Sequence, residues 1–176
     1  MLLWLDMEMT GLDVEKEVPI EVACIVTDWQ FNPITQYHAI IKQPQIYLDR
    51  MDAWNTDHHK RSGLTDQIPN GKEPGVVEQE LVQLVKANFG TDRAILAGNS
   101  IGQDRLFITK YFRQLEALLH YRMLDVSAWK IVYNSHFQIK FPKKQNHRAL
   151  DDVQESIDEL KFYMQFIKKD SSPSPT

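Results

Sequence analysis

Asp6 and Glu8 stand two residues apart in the run Leu2-Leu3-Trp4-Leu5-Asp6-Met7-Glu8. If that run is a strand, its alternating side chains put both carboxylates on one face, together with Leu2 and Trp4. Two acids on a core strand are costly unless they are neutral, paired or bound to a cation. A third acid, Asp104, follows Ala97-Gly98-Asn99-Ser100-Ile101-Gly102-Gln103, just beyond the C-terminal end of a candidate strand, where open α/β sheets collect ligands. Alone, an acid in a first helical turn is explained by the helix dipole. The fourth comes from His147-Arg148-Ala149-Leu150-Asp151-Asp152. Against the apolar stripe Leu150, Val153, Ile157 and Leu160, Asp152 lies roughly 110° from the centre and Asp151 roughly 150°, at ~100° per residue. Asp152 therefore flanks the buried face and Asp151 faces solvent.

Carboxylates that converge raise one another's pKa and destabilise the fold unless cations neutralise them. A set of hard oxygen donors favours Mg²⁺ or Mn²⁺ over Zn²⁺, and two such ions ~3.5–4 Å apart suit in-line phosphoryl displacement. The chemistry expected from Asp6, Glu8, Asp104 and Asp152 is phosphodiester hydrolysis with two ions per site, and His147 is the candidate base that takes the proton from water. A solvated histidine at a helix start is the competing reading of His147.

Three strands in a meander are expected over Leu2–Glu8, Ile20–Thr27 and Ile34–Ile41, separated by Gly11 with Asp13 and by Asn32-Pro33. Helical spacing follows at Leu48-Met51-Trp54-Asn55 and at Val76 to Val85. Strand Ala94–Ala97 leads into a helix over Ile101–Phe112, where Ser100 and Gln103 have capping-box spacing. A last strand, Tyr121–Val126, precedes a helix over Ser127–Tyr133 and a polar, basic loop over 134–146. The closing helix carries Leu150, Val153, Ile157, Leu160, Met164 and Ile167 at spacings of three and four. Strands followed by alternating strands and helices predict an α/β fold, a mixed sheet covered by helices on both faces.

With 176 residues, 43% of them apolar, the chain has material for one domain, expected over 1–168, and the Ser/Pro-rich segment 169–176 is expected to be a disordered tail. No apolar run approaches the ~20 residues of a membrane span. Met1 to Leu5 lack the basic flank and cleavage site of a signal peptide. The single Cys24 sits in an apolar run, which excludes a disulfide framework and predicts a buried, inert thiol. A reducing, cytoplasmic location is expected. The net charge of −4 disfavours a long polyanion footprint, although bound cations reverse the local sign of an acidic pocket.

Asp6-Met7-Glu8, then Asp104, then His147 five residues before Asp152, resembles the DEDDh group of 3′→5′ exonucleases, with a ribonuclease H-like fold. Leu5 to Leu12, Ala97 to Asp104, His120 to Ser127 and His147 to Asp152 look like the oligoribonuclease family within it, and the resemblance extends to about Lys168. It implies hydrolysis of very short RNA oligonucleotides, notably dinucleotides. It also implies that Leu12 is an apolar wedge beside the terminal base, Trp54 an aromatic platform for a base, and His59 a residue near the scissile bond. A core anchor on an amphipathic helix is the alternative for Trp54, and the adjacent His58 makes a merely solvated doublet the alternative for His59. Ser100 and Ser127 would contact the 5′ phosphate, while Tyr121 and Arg122 would reach into the site of a partner subunit, which requires a homodimer. Ala128 departs from the family pattern, in which a hydroxyl residue usually stands there, and one phosphate contact is then missing. DEDDh exonucleases of longer strands and a non-catalytic nucleic-acid-binding module are the competing functions.

Overall fold

The computed structural model describes residues 1–142 and 148–167. The expected boundary after Lys168 and the tail 169–176 lie outside the described residues. A five-stranded sheet in the order β3-β2-β1-β4-β5 forms the centre. Its strands are β1 (Leu2–Met9), β2 (Pro19–Thr27), β3 (Pro33–Ile40), β4 (Ala94–Gly98) and β5 (Leu119–Asp125). The first three form the expected antiparallel meander, and β4 and β5 add in parallel beside β1. The sheet is mixed, as the sequence predicts.

Alternation along β1 sorts its residues between two cores. Leu3, Leu5, Met7 and Met9 pack on one face with Val77, Leu81 and Val85 of α3 (Pro74–Phe89) and with Ile101, Phe107 and Ile108 of α4 (Ile101–Tyr111). Leu115, from the short α5 (Arg113–Glu116), joins them. Leu2 and Trp4 pack on the other face with Val126 of α6 (Val126–His136) and with Val153, Ile157 and Leu160 of α7 (Ala149–Met164). Helices thus cover both faces. The same period carries Asp6 and Glu8 onto the α7 face, at the C-terminal end of β1.

The expected helix through Leu48 and Asn55 divides into α1 (Gln45–Leu48) and α2 (Ala53–Arg61). Asp52 causes the break: its backbone is extended, and its carboxylate accepts a hydrogen bond from Asn55 N at 2.8 Å, capping α2. The capping box expected at Ser100 does not form. Ser100 is left-handed at φ 52°, its side chain makes no capping bond, and its backbone N donates instead to Asp125 Oδ1 and Ser127 Oγ. Gly98 permits this turn, since a Cβ there would stand 2.7 Å from Leu5 O. Helix α6 extends to His136, into the stretch expected to be loop. Helix α7 ends at Met164, and Met164 and Ile167 are exposed. Past Leu160 the inward position passes to Tyr163, which stacks on Tyr133 of α6 with centroids 4.9 Å apart. Cys24 is buried, and burial pushes its thiol up to about 12, consistent with the inert role expected.

Because α2 carries Trp54, His58 and His59, its cap matters beyond its own length. Asp52→Ala should lower stability by about 1 kcal/mol and the melting temperature by roughly 2–4 °C, measured by thermal unfolding; an unchanged melt would show that the cap contributes nothing.

Candidate active site

The site forms where β1 ends, between α2 and the start of α7. Carboxylate oxygens of Asp6, Glu8 and Asp152 lie within 4.8 Å of one another. Asp152 is half-buried and Asp151 exposed, as the helix period predicts. Asp104 is buried on the stripe of α4 that also holds Ile101, Phe107 and Ile108. Its Oδ1 accepts from Met7 N at 2.9 Å, which fixes the start of α4 against β1 between the two strand acids. Its oxygens are not within the 4.8 Å group, but its charge acts on both Asp6 and Glu8.

Electrostatics at this point are unfavourable for a bare protein. Burial, followed by repulsion from Asp104, Glu8 and Asp152, holds the Asp6 carboxyl well above the usual range. Burial and then the charges of Asp152, Glu21 and Asp104 push Glu8 up to about 8, against a smaller opposing pull from Arg148. Asp104 is pushed up to about 7, chiefly by burial. Hard carboxylate oxygens crowded in this way fit divalent cations, which remove the repulsion that the protein itself leaves standing.

Glu21 is a functional candidate that the sequence analysis missed. It is fully buried in β2 directly opposite Glu8. Burial opposes its ionisation, but hydrogen bonds from His38 and Arg148 outweigh that and hold its carboxyl below the usual range. The Arg148 guanidinium donates from Nε and Nη2 to Glu21 Oε1 at 3.1 and 2.9 Å. Since Arg148 is the residue immediately before α7, this pair ties the entry of α7, and with it Asp152, to the sheet. One acid in an otherwise apolar strand was the signal, the same one that exposed Asp6 and Glu8. His147 lies outside the described residues.

An open pocket of about 800 Å³ spreads from the acids, lined by Asp6, Glu8, Trp54, His58 and Asp152 among others, and the exposed Asp151 also stands on its wall. Trp54 is 68% exposed, so it is no core anchor, and its ring stacks on His58 with centroids 4.7 Å apart. His59 is 1% exposed. Its Nε2 lies 2.9 Å from Met9 O and its Nδ1 3.9 Å from Glu8 Oε2. Burial lowers its pKa and favours the neutral ring. Leu12 is exposed beside the start of α4, where its carbonyl accepts from Gln103 Nε2 at 2.7 Å.

The remaining candidates gather elsewhere. Ser100 and Ser127 meet at the C-terminal ends of β4 and β5, hydroxyl to hydroxyl at 3.1 Å, and Asp125 Oδ1 accepts from both backbone N–H groups. Tyr121 and Arg122 stand on the edge strand β5, exposed, with the guanidinium 5.1 Å above the tyrosine ring. They do not line the pocket formed by Asp6, Glu8 and Trp54.

Comparison with known proteins agrees with this arrangement. The exonuclease family model RNase_T matches residues 3–160. An oligoribonuclease from Ectopseudomonas mendocina is 42% identical over 173 residues, covering 96% of each chain. The mitochondrial oligoribonuclease of Homo sapiens is 41% identical over 177 residues, covering 96% of this chain and 73% of its own. Among solved structures, an exonuclease I described for how its processivity is achieved superposes with a TM-score of 0.73 at 17% identity, over 93% of this chain. The exonuclease I of Methylocaldum szegediense does so with a TM-score of 0.70 at 18% identity, over 94% of this chain. This chain spans 40% of the length of each, and the likeness shows the fold, ribonuclease H-like. The exonuclease model and the oligoribonuclease relatives define a hydrolytic nuclease. The chain belongs to the oligoribonucleases, 3′→5′ exoribonucleases of the DEDDh exonuclease family.

The raised carboxyls make metal-free stability depend on pH. Unfolded, Glu8 and Asp104 titrate near 4.5 and 3.8; folded, near 8 and 7. Their contribution is complete below the unfolded values and is lost as pH rises through 7 and 8. His59 acts in the opposite sense only below about 6.5. Chelator-treated protein should therefore melt higher at pH 6.5 than at pH 8.5, by roughly 5 °C or more, with most of the difference removed by Mg²⁺. A flat profile in calorimetry would contradict the raised carboxyls.

Proposed function

We propose that this exoribonuclease removes 5′-mononucleotides from the 3′ end of RNA only a few residues long, dinucleotides above all, using two Mg²⁺ or Mn²⁺ ions and His147 as base. The observation that carries the reading is the convergence of Asp6, Glu8 and Asp152 beside an exposed aromatic face, Trp54, in one pocket. Asp6, Glu8, Asp104 and Asp152 would hold the ions. When bound, these activate a water for in-line attack and neutralise charge on the departing 3′ oxygen.

The chain's own groups do the rest. Trp54 offers a flat surface to a base, and stacking accepts any of the four. Leu12, exposed beside the start of α4 and not among the residues that line the pocket, would supply the apolar wedge. His147, five residues before Asp152, would take one proton of the attacking water as its oxygen bonds to phosphorus and the bond from phosphorus to the 3′ oxygen breaks; the departing 3′ oxygen takes a proton from a solvent water to become the new hydroxyl end, and His147 returns its proton to solvent. His59, bonded to Met9 O and facing Glu8, keeps the end of β1 in place beside the scissile bond.

Restriction to short RNA follows from the far end of the site. Ser100 and Ser127 offer hydroxyls at a helix start, where anions are favoured. Arg122 and Tyr121, exposed on an edge strand, are free to serve a second copy of the chain. The apolar side chains Met123, Ile131 and Phe137 are exposed on β5, α6 and the turn after it, and support a homodimer through this side. A partner's arginine there closes the 5′ side as a wall. No helix among the described residues is long and apolar enough to cross a membrane. A cytoplasmic setting is part of this reading; of the relatives, one is bacterial and another is named mitochondrial.

With 5′-labelled dinucleotide, Asp152→Ala should abolish turnover and His147→Ala should lose ~10²–10⁴-fold while keeping substrate affinity. Asp151→Ala should stay within about twofold of wild type, since Asp151, although on the pocket wall, is exposed and outside the donor group of Asp6, Glu8 and Asp152. Retained activity in Asp152→Ala, or a dead Asp151→Ala, would overturn the ligand assignment.

Arg122→Ala should weaken dinucleotide binding by roughly 1.5–3 kcal/mol, the scale of a charge-assisted hydrogen bond. In a mixed dimer of Asp104→Ala with Arg122→Ala, an arginine acting in trans leaves one site complete and about half of the wild-type activity per dimer. Activity no higher than that of the Arg122→Ala homodimer would show the arginine acting in cis.

A further inference from the structure

The last turn of α2 places two imidazoles against the same carboxylate that the acid cluster uses. Donor atoms of Glu8, His58 and His59 lie within 4.8 Å of one another, one from each side chain. His59 is fixed: its Nε2–H donates to Met9 O at 2.9 Å, which leaves the Nδ1 lone pair directed at Glu8 Oε2, 3.9 Å away. That Nδ1 is buried and has no hydrogen-bond partner, so a desolvated lone pair stands in the protein without compensation. His58 is half-buried, stacked on Trp54 and edge-on to His59 with centroids 5.4 Å apart.

We propose that Glu8, His58 and His59 form a second site, overlapping the acid cluster at Glu8, for a borderline divalent cation, of which Zn²⁺ is the type. Two imidazole nitrogens and one carboxylate oxygen are a donor set that such ions accept with three protein ligands and an open position. Mg²⁺, which requires octahedral oxygen, is a poor match to it. A histidine whose second nitrogen is anchored on a backbone carbonyl, as His59 is on Met9, is oriented as metal-binding histidines are. Bonds of ~2.0–2.1 Å at tetrahedral angles put donor atoms ~3.3–3.5 Å apart. Rotation of the half-buried His58 and Glu8 side chains closes the remaining distance around a stationary His59. The open position faces the pocket, which Glu8 and His58 line.

The consequence is a brake. Glu8 belongs to both donor groups, and an ion held with His58 and His59 draws it away from Asp6 and Asp152. The same ion fixes His58, and through it the ring of Trp54. A borderline metal would thus oppose the ions that four carboxylates hold.

The test reads metal binding by the full chain after chelator treatment, with Co²⁺ alone as the spectroscopic probe and Zn²⁺ alone in calorimetry. It is independent of turnover, so failure of the nuclease reading and failure of this site are distinguishable. Wild type should show the visible absorption of four- or five-coordinate Co²⁺. Asp152→Asn, altered only in the acid cluster, should keep it. His58→Ala should lose it and bind Zn²⁺ at least tenfold more weakly. In the unsubstituted protein, which removes any dependence on how His58→Ala folds, Zn²⁺ should shift the imidazole ¹⁵N resonances of both His58 and His59. The proposal is overturned if those resonances do not move. It is equally overturned if Asp152→Asn loses the Co²⁺ band while His58→Ala retains it, for the ion then sits among the acids alone.

Discussion

Mutual repulsion among buried carboxylates is the constraint around which this molecule is arranged. Asp6 and Glu8 share one face of β1, and only the packing of α4 and α7 against that strand brings Asp104 and Asp152 to them. Asp6, Glu8 and Asp104 are displaced toward their protonated forms by burial, against a smaller opposing pull of Arg148 on Glu8 and the hydrogen bond that Met7 gives to Asp104. A fold that holds like charges together at a cost in stability fits divalent cations, whose binding would remove that cost.

The hydrophobic cores on the two faces of the sheet provide the rigidity this requires. Trp4, fully buried and donating from its indole to Thr27 Oγ1 at 3.0 Å, anchors β1 on the α7 face immediately before Asp6. Val153, Ile157 and Leu160 press α7 onto the same face, and the Arg148–Glu21 pair fixes its first turn. Glu21 differs from the acids beside it because Arg148 and His38 both hydrogen-bond its Oε1 and hold its carboxyl below the usual range, although its buried Oε2 is left without a partner. Adjacent carboxylates on paired strands thus have opposite titration behaviour, set by which of them the protein chooses to partner.

Much of this was legible in the chain. Period-two alternation placed Asp6 and Glu8 with Leu2 and Trp4, and period 3.6 separated Asp152 from Asp151, because both depend only on local backbone geometry and on which residues are apolar. The meander and the mixed sheet followed for the same reason. Local rules failed where a distant group competed for a backbone atom. The capping-box spacing at Ser100 was genuine, yet Asp125 and Ser127, from the far side of β5, took its backbone N–H and held it left-handed. The apolar stripe of α7 continued on paper through Met164 and Ile167, but the helix leaves the sheet after Leu160 and buries Tyr163 against α6 instead.

By itself, then, the sequence determined which side chains share a face and which chemistry their types permit, since those follow from short-range periodicity and from the nature of a carboxylate or an imidazole. Only the tertiary structure decided which faces meet. It joined Glu21 to Arg148 across 127 positions, turned Asp104 onto the backbone of Met7, and buried His59 with one nitrogen bonded and the other left facing Glu8. Such contacts arise between segments remote in the chain, and their geometry depends on the packing of whole helices against the sheet, which no local pattern of residues encodes.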